Sequence, residues 1–440
     1  MTEVSSVEEL KFLAPQEVRE IALRYGTPVF VYDEESITTA ADRMSGLPNS
    51  FGLTVRYSLK ACPSQAVIRL LGRQGLAFDA SSVWEVRRAV LAGITPDRIM
   101  LTAQQVVFDE EMMGLLDSGL VFDAGSLDQL EAYGSRYPGR SVSLRINPGF
   151  GSGLVRRLTS GGPDSSFGIW HEDIGEVKRL LQHHQLKLTR LHSHIGSGHH
   201  WDVLVQAFRE LLTYARQFSD VSVIDLGGGY RTQSLLTDPV QDHHAWAEVV
   251  ASDLREFAEE TGRQLKLEIE PGTYIMANSG SIITRVTEVV STGNGGHRFI
   301  KIDGGLTEII RPSYYGAPHP LVSVAAHDDA VAAHEDACED SAGYDDYCVA
   351  GHCCIAGDML TVKPGAVEEL APVRLRRTTP GDLLVIERGG AYTASMALKN
   401  FNSYPEAPEV LRRSDGRYDL IRARQSLEQI VANERVPDDL

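Results

Sequence analysis

The chain has 440 residues and a formal net charge of −18 at pH 7, and 42% of its residues are hydrophobic. Nucleic acids and anionic membranes attract positive patches, so this acidic chain is expected to have neither as a partner. The sequence contains no apolar stretch of about 18 residues and no basic-then-apolar leader at its N-terminus, which predicts a protein that does not enter a membrane.

The five cysteines are few for this length and odd in number, and two of them are adjacent. A disulfide framework is therefore not expected, and a reducing cytoplasm is the predicted location. The group formed by His352, Cys353 and Cys354 has no C-x-x-C pair and no matching second half, so no metal site is predicted there.

Short apolar runs alternate with helical patterns from about residue 50 to 275. Strands are predicted at LTVRYSL, GLAFDA, RIML, LVFDA, SVSLRIN, KLTRLHSHI, VSVIDLGG and QLKLEIE. Helical candidates fall between them, such as PSQAVIRLLGRQG, SVWEVRRAVLAGI and WDVLVQAFRELLTYARQF. Strands separated by helices imply a parallel sheet, and about eight such units imply an α/β fold with a (β/α)8 TIM-like barrel.

The pattern changes after about residue 275, where strand candidates are closed by Gly, Asp and Pro turns. These candidates are SIITRVTEVVST, HRFIKIDGG, PLVSVAA, DDYCVAGHCC, DLLVIERGGAY and YDLIRAR. They predict an antiparallel β-sandwich or barrel domain, which the early run TPVFVYDEES joins. We therefore expect a barrel over 40–277 and a β domain from 1–39 and 278–440. The acidic tract 327–346 is interpreted as a solvated loop.

Two motifs in the barrel region suggest a phosphate-bearing aldehyde as ligand. Lys60 ends the strand candidate VRYSLK, and the C-terminal ends of barrel strands face the active site, where a desolvated lysine can attack an aldehyde. The alternative is a surface lysine. In DLGGGY, Gly227, Gly228 and Gly229 let backbone N–H groups approach an anion, late in the barrel series where phosphate commonly binds. The alternative is a plain turn.

Two further motifs offer partners for an aromatic ring. Glu270 ends the last barrel strand candidate, and a buried carboxylate there can bond a protonated pyridine nitrogen, which makes the ring an electron sink. Pairing with an arginine is the alternative. In HSHIGSG we expect His192 and His194 to point to opposite sides, one stacking on a planar ring and the other packing in the barrel wall. Ser197 can donate to a phosphate.

The segment GHCCIAGD contains a candidate acid. The thiol of Cys354, close to Asp358, can return a proton to a carbanion. The alternative is a buried small hydrophobic side chain, which is the commoner role of a free cysteine.

In combination and order, these motifs resemble the fold type III PLP-dependent decarboxylases, the diaminopimelate and ornithine decarboxylase family, over nearly the whole chain. The resemblance implies pyridoxal 5′-phosphate (PLP) as cofactor and a homodimer with shared active sites, in which Cys354 reaches the site of the neighbouring subunit. It makes Lys60, Cys354 and His194 the catalytic residues. It assigns PLP contacts to Lys60, Asp79, His194, Ser197, Gly227, Gly228, Gly229, Glu270, Gly272 and Tyr392.

The same resemblance assigns the substrate to Arg311, Tyr315, Thr273, Ile355 and Asp358. Thr273 stands where diaminopimelate decarboxylases typically have arginine, and Ile355-Ala356 stand where they have Glu-Ser. Losing a charge-assisted hydrogen bond costs about 1.5–3 kcal/mol. We therefore expect decarboxylation of the α-carboxylate of a specialised or conjugated amino acid.

The alternatives are a true meso-diaminopimelate decarboxylase of lysine biosynthesis and a PLP-dependent racemase or other carbanion enzyme. An acid at position 270, rather than the arginine of related racemases, favours decarboxylation. A non-catalytic PLP-binding regulator and a metal-dependent barrel hydrolase are further alternatives. The first usually loses the lysine or the phosphate loop, and the second lacks a clear ligand set.

Overall fold

The computed structural model describes residues 7–197, 200–327 and 343–440. The chain forms two compact units. The first, here called the β unit, comprises Met1–Ile37, Gln233–Pro239 and Met276–Leu440, and the second, the barrel unit, comprises Thr38–Thr232 and Val240–Ile275.

Parallel strands form the centre of the barrel unit. They are β2 (Leu53–Ser58), β3 (Ala77–Ala80), β4 (Ile99–Leu101), β5 (Val121–Ala124), β6 (Ser141–Asn147), β7 (Ile169–Trp170), β8 (Lys187–His192), β9 (Val223–Asp225) and β10 (Lys266–Ile269). Within the described residues, eight of them close in the order β2-β3-β4-β5-β6-β8-β9-β10, with β10 pairing back to β2. The short β7 pairs beside β6. The predicted eight-stranded barrel is confirmed.

Amphipathic helices follow these strands. They are α3 (Gln65–Arg73), α4 (Val83–Leu91), α5 (Glu110–Asp117), α6 (Leu127–Arg136), α7 (Ile174–His183), α8 (Trp201–Ala215) and α9 (His243–Thr261). Helices α4 and α6 begin directly after strands because Ser82 and Ser126 cap them, each accepting a backbone N–H from the first turn. These short connections hold the carboxyl ends of β3 and β5 in fixed positions.

A second sheet forms the β unit. Its strands are β1 (Val29–Asp33), β11 (Gly280–Ser291), β12 (Arg298–Ile302), β13 (Leu321–Val324), β14 (Tyr344–Ala350), β17 (Val373–Arg376), β18 (Leu383–Ile386), β19 (Glu409–Arg412) and β20 (Tyr418–Arg422). A separate hairpin pairs β15 (Val362–Lys363) with β16 (Ala366–Leu370). Most pairings are antiparallel, as predicted, but β1 runs parallel to β19 and β12 runs parallel to β14.

Short helices complete the β unit: α1 (Pro15–Tyr25), α11 (Arg311–Tyr315) and α12 (Leu427–Ile430). Two others, α2 (Glu34–Ser45) and α10 (Thr273–Met276), contain residues of both units. Helix α1 buries Val18, Ile21 and Ala22 in a hydrophobic core built with β1, β11 and β18.

The acidic tract 327–346 differs in part from its interpretation as a loop. Residues 328–342 lie outside the described residues, and β14 begins at Tyr344, so the last three residues of the tract belong to a strand. Asp345 is held there by Arg298, which explains why an acidic residue fits this strand. In the described part of the chain, no helix combines the length and apolar character needed to cross a bilayer.

Candidate active site

Lys60 lies at the carboxyl end of β2, but not on the strand as predicted. The strand ends at Ser58, and Lys60 occupies a 3₁₀ turn, Leu59–Ala61. Its Nζ lies 3.6 Å from the Asp79 carboxylate at the end of β3, and 39% of the lysine side chain is exposed against 1% of the aspartate. The amine is thus accessible to a ligand and oriented by a buried negative charge.

A buried cluster of acids and a histidine lies at the ends of neighbouring strands. Glu270 follows β10, Asp225 ends β9, His192 ends β8 and Asp123 lies on β5, each with at most 3% of its surface exposed. His192 Nδ1 lies 2.8 Å from an Asp123 carboxylate oxygen, and His192 Nε2 lies 3.7 Å from Glu270 Oε1. Within the described residues, Glu270 Oε1 has no hydrogen-bond partner.

Burial and mutual repulsion shift the protonation of this cluster. Burial raises the pKa of Glu270 well above its usual value, and the charges of Asp79 and Asp225 add to the rise. Burial likewise raises the pKa of Asp225 to about 6, although the charge of His192 opposes this. Burial alone would lower the pKa of His192, yet the charges of Glu270 and Asp123 raise it to about 9. The histidine is therefore the positive member of the cluster.

A second carboxylate on β10, two residues before Glu270, has a different environment. Glu268 accepts paired hydrogen bonds from Arg56 on β2 and Arg190 on β8, at 2.8–3.1 Å. Burial would raise the pKa of Glu268, but the two guanidiniums lower it to about 2. Glu268 is thus a paired carboxylate inside the barrel, whereas Glu270 keeps an oxygen for a ligand.

The glycine loop lies between the acid cluster and His194. The N–H of Gly227 donates to Asp225 and the N–H of Gly228 donates to His194 Nδ1, at 2.8 and 3.1 Å. A side chain at Gly228 would come within 2.5 Å of the Glu270 carbonyl oxygen, so only glycine fits. The N–H of Gly229 has no partner in the described part of the chain, and its φ of 95° is in the left-handed region. The loop therefore offers one backbone donor to an anion.

The expected opposite orientation of the two histidines was wrong. Residues two apart in an extended strand share a face, and β8 in any case ends at His192. His192 approaches Glu270, and the His194 ring lies on Gly228, beside the backbone of the same glutamate. Ser197 is held through its backbone to Leu154 and Leu158.

Cationic side chains cluster in the β unit. Arg311 starts α11, its guanidinium lies 5.7 Å from the Tyr392 ring centroid, and its Nε has no partner in the described residues. Burial lowers the pKa of Arg311. Burial and the charge of Arg311 lower the pKa of Arg388 to about 10, and both guanidiniums with burial keep His319 neutral by lowering its pKa. Two buried guanidiniums near one another provide a site for an anion.

Cys354 is exposed on a turn of the β unit, where its N–H donates to the Asn402 side chain at 2.9 Å. It borders a cleft of about 670 Å³ that is also lined by His352 and Tyr404, whose rings stack at 3.8 Å. Ile355, the next residue, is 50% exposed.

Asp358 has a structural role in the turn that carries Cys354. Its two carboxylate oxygens accept the N–H groups of Leu306 and Cys353 at 2.9 and 2.8 Å, and only 3% of the residue is exposed. Gly305 and Gly351 pack so closely that a side chain at either position would overlap the carboxylate. Asp358 therefore shapes the turn that presents Cys354, and its contact with substrate stays a prediction.

Comparison with known proteins assigns the family. The family model described as "Pyridoxal-dependent decarboxylase, pyridoxal binding domain" matches residues 36–277. The chain belongs to the pyridoxal-dependent decarboxylases. A diaminopimelate decarboxylase of Streptomyces coelicolor is 35% identical over 425 residues, which cover 94% of this chain and 91% of the relative. One of Escherichia coli K12 is 33% identical over 427 residues, covering 96% and 97%.

A solved structure supports the same assignment. The crystal structure of a diaminopimelate decarboxylase superposes with a TM-score of 0.85 at 32% identity and covers 96% of each chain. As a pyridoxal-dependent decarboxylase, the chain is an enzyme that uses PLP to decarboxylate an amino acid.

The residues of the barrel unit fit PLP. An accessible primary amine at Lys60, a buried acid with an unpartnered oxygen at Glu270 and a free backbone donor at Gly229 match the aldehyde, ring nitrogen and phosphate of the cofactor. His192, Asp225 and Glu270 also bring ligand atoms within 4.8 Å of one another, a spacing that a metal ion could use. The lysine and the glycine loop beside them match the decarboxylase family instead.

Several charged residues were not predicted from the sequence. Asp123 ends LVFDA, as Asp79 ends GLAFDA, so an acid closing an apolar strand was a usable signal for both. Arg145 lies on β6, where its guanidinium donates to the His194 carbonyl oxygen at 3.3 Å and lies over Phe167. Arg388 had no such signal, because its neighbours come from distant parts of the sequence.

Proposed function

We propose that this decarboxylase removes an α-carboxylate from meso-diaminopimelate. The observation that carries the chemistry is the buried, unpartnered oxygen of Glu270, since an anionic acid at the ring nitrogen favours loss of CO₂. The relatives named diaminopimelate decarboxylase, similar along more than nine-tenths of both chains, support this substrate over the specialised amino acid that the sequence suggested.

PLP, when bound, accepts the electron pair left behind when the bond between Cα and the carboxylate breaks. In the proposal, Lys60 would hold the cofactor covalently through Nζ, and a Glu270 carboxylate oxygen would accept a hydrogen bond from the protonated ring nitrogen. His194 packs on the ring, and Gly229 donates its N–H to the phosphate. Asp79, 3.6 Å from Lys60 Nζ, keeps the amine oriented.

The proton that replaces CO₂ at Cα comes, in this proposal, from the thiol of Cys354. This cysteine is exposed on its turn, and its backbone is fixed by Asn402. We propose that it serves the site of a second subunit in a homodimer, where Tyr392 approaches the phosphate of the cofactor.

Complementation tests the shared site. Lys60→Ala and Cys354→Ala subunits, each inactive alone, are mixed in equal amounts under conditions that exchange subunits. If the two residues serve one site from different subunits, about a quarter of wild-type activity returns, because half of the dimers are mixed and each has one intact site. If no activity returns although mixed dimers are detected by mass spectrometry, the shared site is rejected.

The cationic cluster of the β unit supports a substrate with a second carboxylate. Within the described residues, Arg311 Nε has no hydrogen-bond partner, and burial and the charge of Arg311 lower the pKa of Arg388. An anionic distal group would relieve that repulsion. We therefore assign the distal carboxylate of diaminopimelate to Arg311, with Tyr315 and Arg388 beside it.

Substrate turnover tests the proposal. Purified holoenzyme is incubated with meso-diaminopimelate, L-lysine and L-ornithine, and the products are identified by mass spectrometry. Efficient conversion of meso-diaminopimelate to lysine, with no turnover of the two monocarboxylates, is expected. If meso-diaminopimelate is not converted while another amino acid is decarboxylated, the proposed substrate is rejected but the proposed reaction stands.

A second candidate is decarboxylation of an amino acid with an uncharged distal end. The observation in its favour is Ile355, half exposed directly after Cys354, because an apolar side chain cannot accept a hydrogen bond from a distal ammonium. Thr273, at the start of α10, is likewise uncharged. Conjugated diaminopimelate derivatives in the same assay distinguish this candidate, since it predicts that they exceed the free amino acid in kcat/KM.

A further inference from the structure

Three buried side chains form a line from the barrel wall to the predicted position of the ring nitrogen. Asp123 on β5 contacts His192 Nδ1, and His192 Nε2 faces Glu270 Oε1, 2.8 and 3.7 Å apart, respectively. Asp123 also accepts a hydrogen bond from Ser143 on β6, which fixes its carboxylate. Since Asp123 holds the proton on Nδ1, only Nε2 is directed at Glu270.

We propose that Asp123 and His192 form a positioning relay that orients Glu270 and keeps it anionic, so that Glu270 holds the proton on the pyridine nitrogen of PLP. This proposal rests on the assigned contact between Glu270 and that nitrogen. It does not depend on which amino acid is the substrate, because the relay acts on the cofactor.

The surroundings of Glu270 explain why a relay is needed. Asp79 and Asp225 face it with negative charge and raise its pKa, together with burial, so that alone it would take up a proton. A protonated Glu270 could accept the N–H of a protonated pyridine only through its neutral carbonyl oxygen and would supply no negative charge to keep the pyridine nitrogen protonated. The positive groups that face the cluster are His192, Lys60, Arg145 and Arg56, the last of which is paired with Glu268.

Of these, only His192 approaches the unpartnered oxygen of Glu270 with a ring nitrogen. Arg145 contacts the His194 carbonyl oxygen and Phe167, and Lys60 pairs with Asp79. Within the described residues, His192 Nε2 itself has no hydrogen-bond partner, and both atoms are fully buried. A rotation of the Glu270 carboxylate on ligand binding would close the 3.7 Å separation to a hydrogen bond.

The test measures the protonation of the cofactor directly. Apoenzyme variants His192→Gln and Asp123→Asn are reconstituted with PLP labelled with ¹⁵N in the ring, and the ring nitrogen is observed by NMR. Wild type is expected to show a protonated nitrogen at pH 8, and His192→Gln an unprotonated one, with kcat lower by about 10–100-fold, the range typical for residues that orient a ligand-binding group. Asp123→Asn should fall between them.

Two controls separate the relay from other effects. His184→Gln removes another buried histidine, which directly follows α7 and pairs with Glu131. This variant should leave the protonation of the ring nitrogen unchanged. Glu270→Gln should lose ring protonation whatever His192 does. If Glu270→Gln keeps a protonated nitrogen, the assigned role of Glu270 fails. If Glu270→Gln loses it but His192→Gln and Asp123→Asn both match His184→Gln, the relay alone is overturned.

Discussion

The two units gather titratable groups of opposite charge. The barrel unit gathers four buried acids at or near strand ends: Asp79, Asp123, Asp225 and Glu270. The β unit gathers cations, with Arg311 close enough to Arg388 to lower its pKa, and burial and both guanidiniums keep His319 neutral by lowering its pKa. An acid-rich site suits a cationic ring nitrogen and an amine, and a cation-rich site suits a carboxylate. We therefore propose that the two units recognise different ends of the amino-acid complex.

The largest effect in the barrel unit is expected when the amine of Lys60 is removed. Lys60→Ala should lower kcat by about 10⁴-fold, the upper end of what a group that moves protons contributes, because nothing else in the cluster can bond an aldehyde. Borohydride should no longer fix PLP on the protein, as read by peptide mass spectrometry. Lys178→Ala, which removes a surface lysine bonded to Gln217, is the matched control. Retained labelling in Lys60→Ala would place the anchor elsewhere.

Within the barrel unit, Glu268 on β10 and Glu270 directly after it are expected to have different roles, the first in stability and the second in catalysis. Glu268→Gln should destabilise the fold by about 3–5 kcal/mol at pH 7, because two buried guanidiniums lose their partner. The pKa of Glu268 is lowered from 4.5 to about 2, so its contribution is present above pH 4.5 and is lost as pH falls towards 2. The gap in urea midpoint between wild type and variant should therefore shrink below pH 4.5. A gap that does not change with pH would contradict this ion pair.

Glu270→Gln, unlike Glu268→Gln, should leave the free energy of unfolding close to that of wild type or higher. The reason is that a neutral amide replaces a buried carboxylate with a raised pKa. We expect kcat to fall about 10²–10³-fold, the range for losing one electrostatic contact to developing charge. Steady-state kinetics and urea unfolding on the same samples check both halves. Full activity in Glu270→Gln would contradict a catalytic role for Glu270 that Glu268 lacks.

The same contrast explains what the sequence can predict. The eight barrel strands are short and mostly buried, and each contains apolar residues, so their positions follow largely from local pattern. Helices α5 and α9 were not among the predicted ones, since Gly114 interrupts the first and polar residues mix with apolar ones in the second. Strands β15 to β17 are rich in charge and only partly buried, which gives them no apolar signature.

Site residues divide in the same manner. Lys60 and Glu270 are found because strand ends in a barrel face the active site. The Asp123–His192 contact joins residues 69 apart, and it depends on the closure of the barrel rather than on any local motif. Asp358 shows the converse: a motif placed it next to Cys354, but packing against Gly305 and Gly351 uses its carboxylate in the turn.

On the β side, Arg311→Met should raise the KM for meso-diaminopimelate by about 10–100-fold, equivalent to a charge-assisted hydrogen bond of about 1.5–3 kcal/mol. The affinity for PLP, measured by absorbance titration, should not change. Arg374→Met, which removes a half-buried arginine near Asp346, is the matched control. If Arg311→Met weakens PLP binding instead, the cation cluster serves the phosphate of the cofactor, and the division between the two units fails.

The smallest effect is expected at Ile355, whose exposed position lets it change without a cost in packing. If the substrate is meso-diaminopimelate, Ile355→Glu adds an acceptor for its distal ammonium and should lower KM by about 2- to 10-fold, the value of a net hydrogen bond of about 0.5–1.5 kcal/mol. Ile355→Gln, of similar shape but uncharged, separates charge from shape. A rise in KM for Ile355→Glu alone would mean that an apolar or anionic group lies beside Ile355, which favours the substrate with an uncharged distal end.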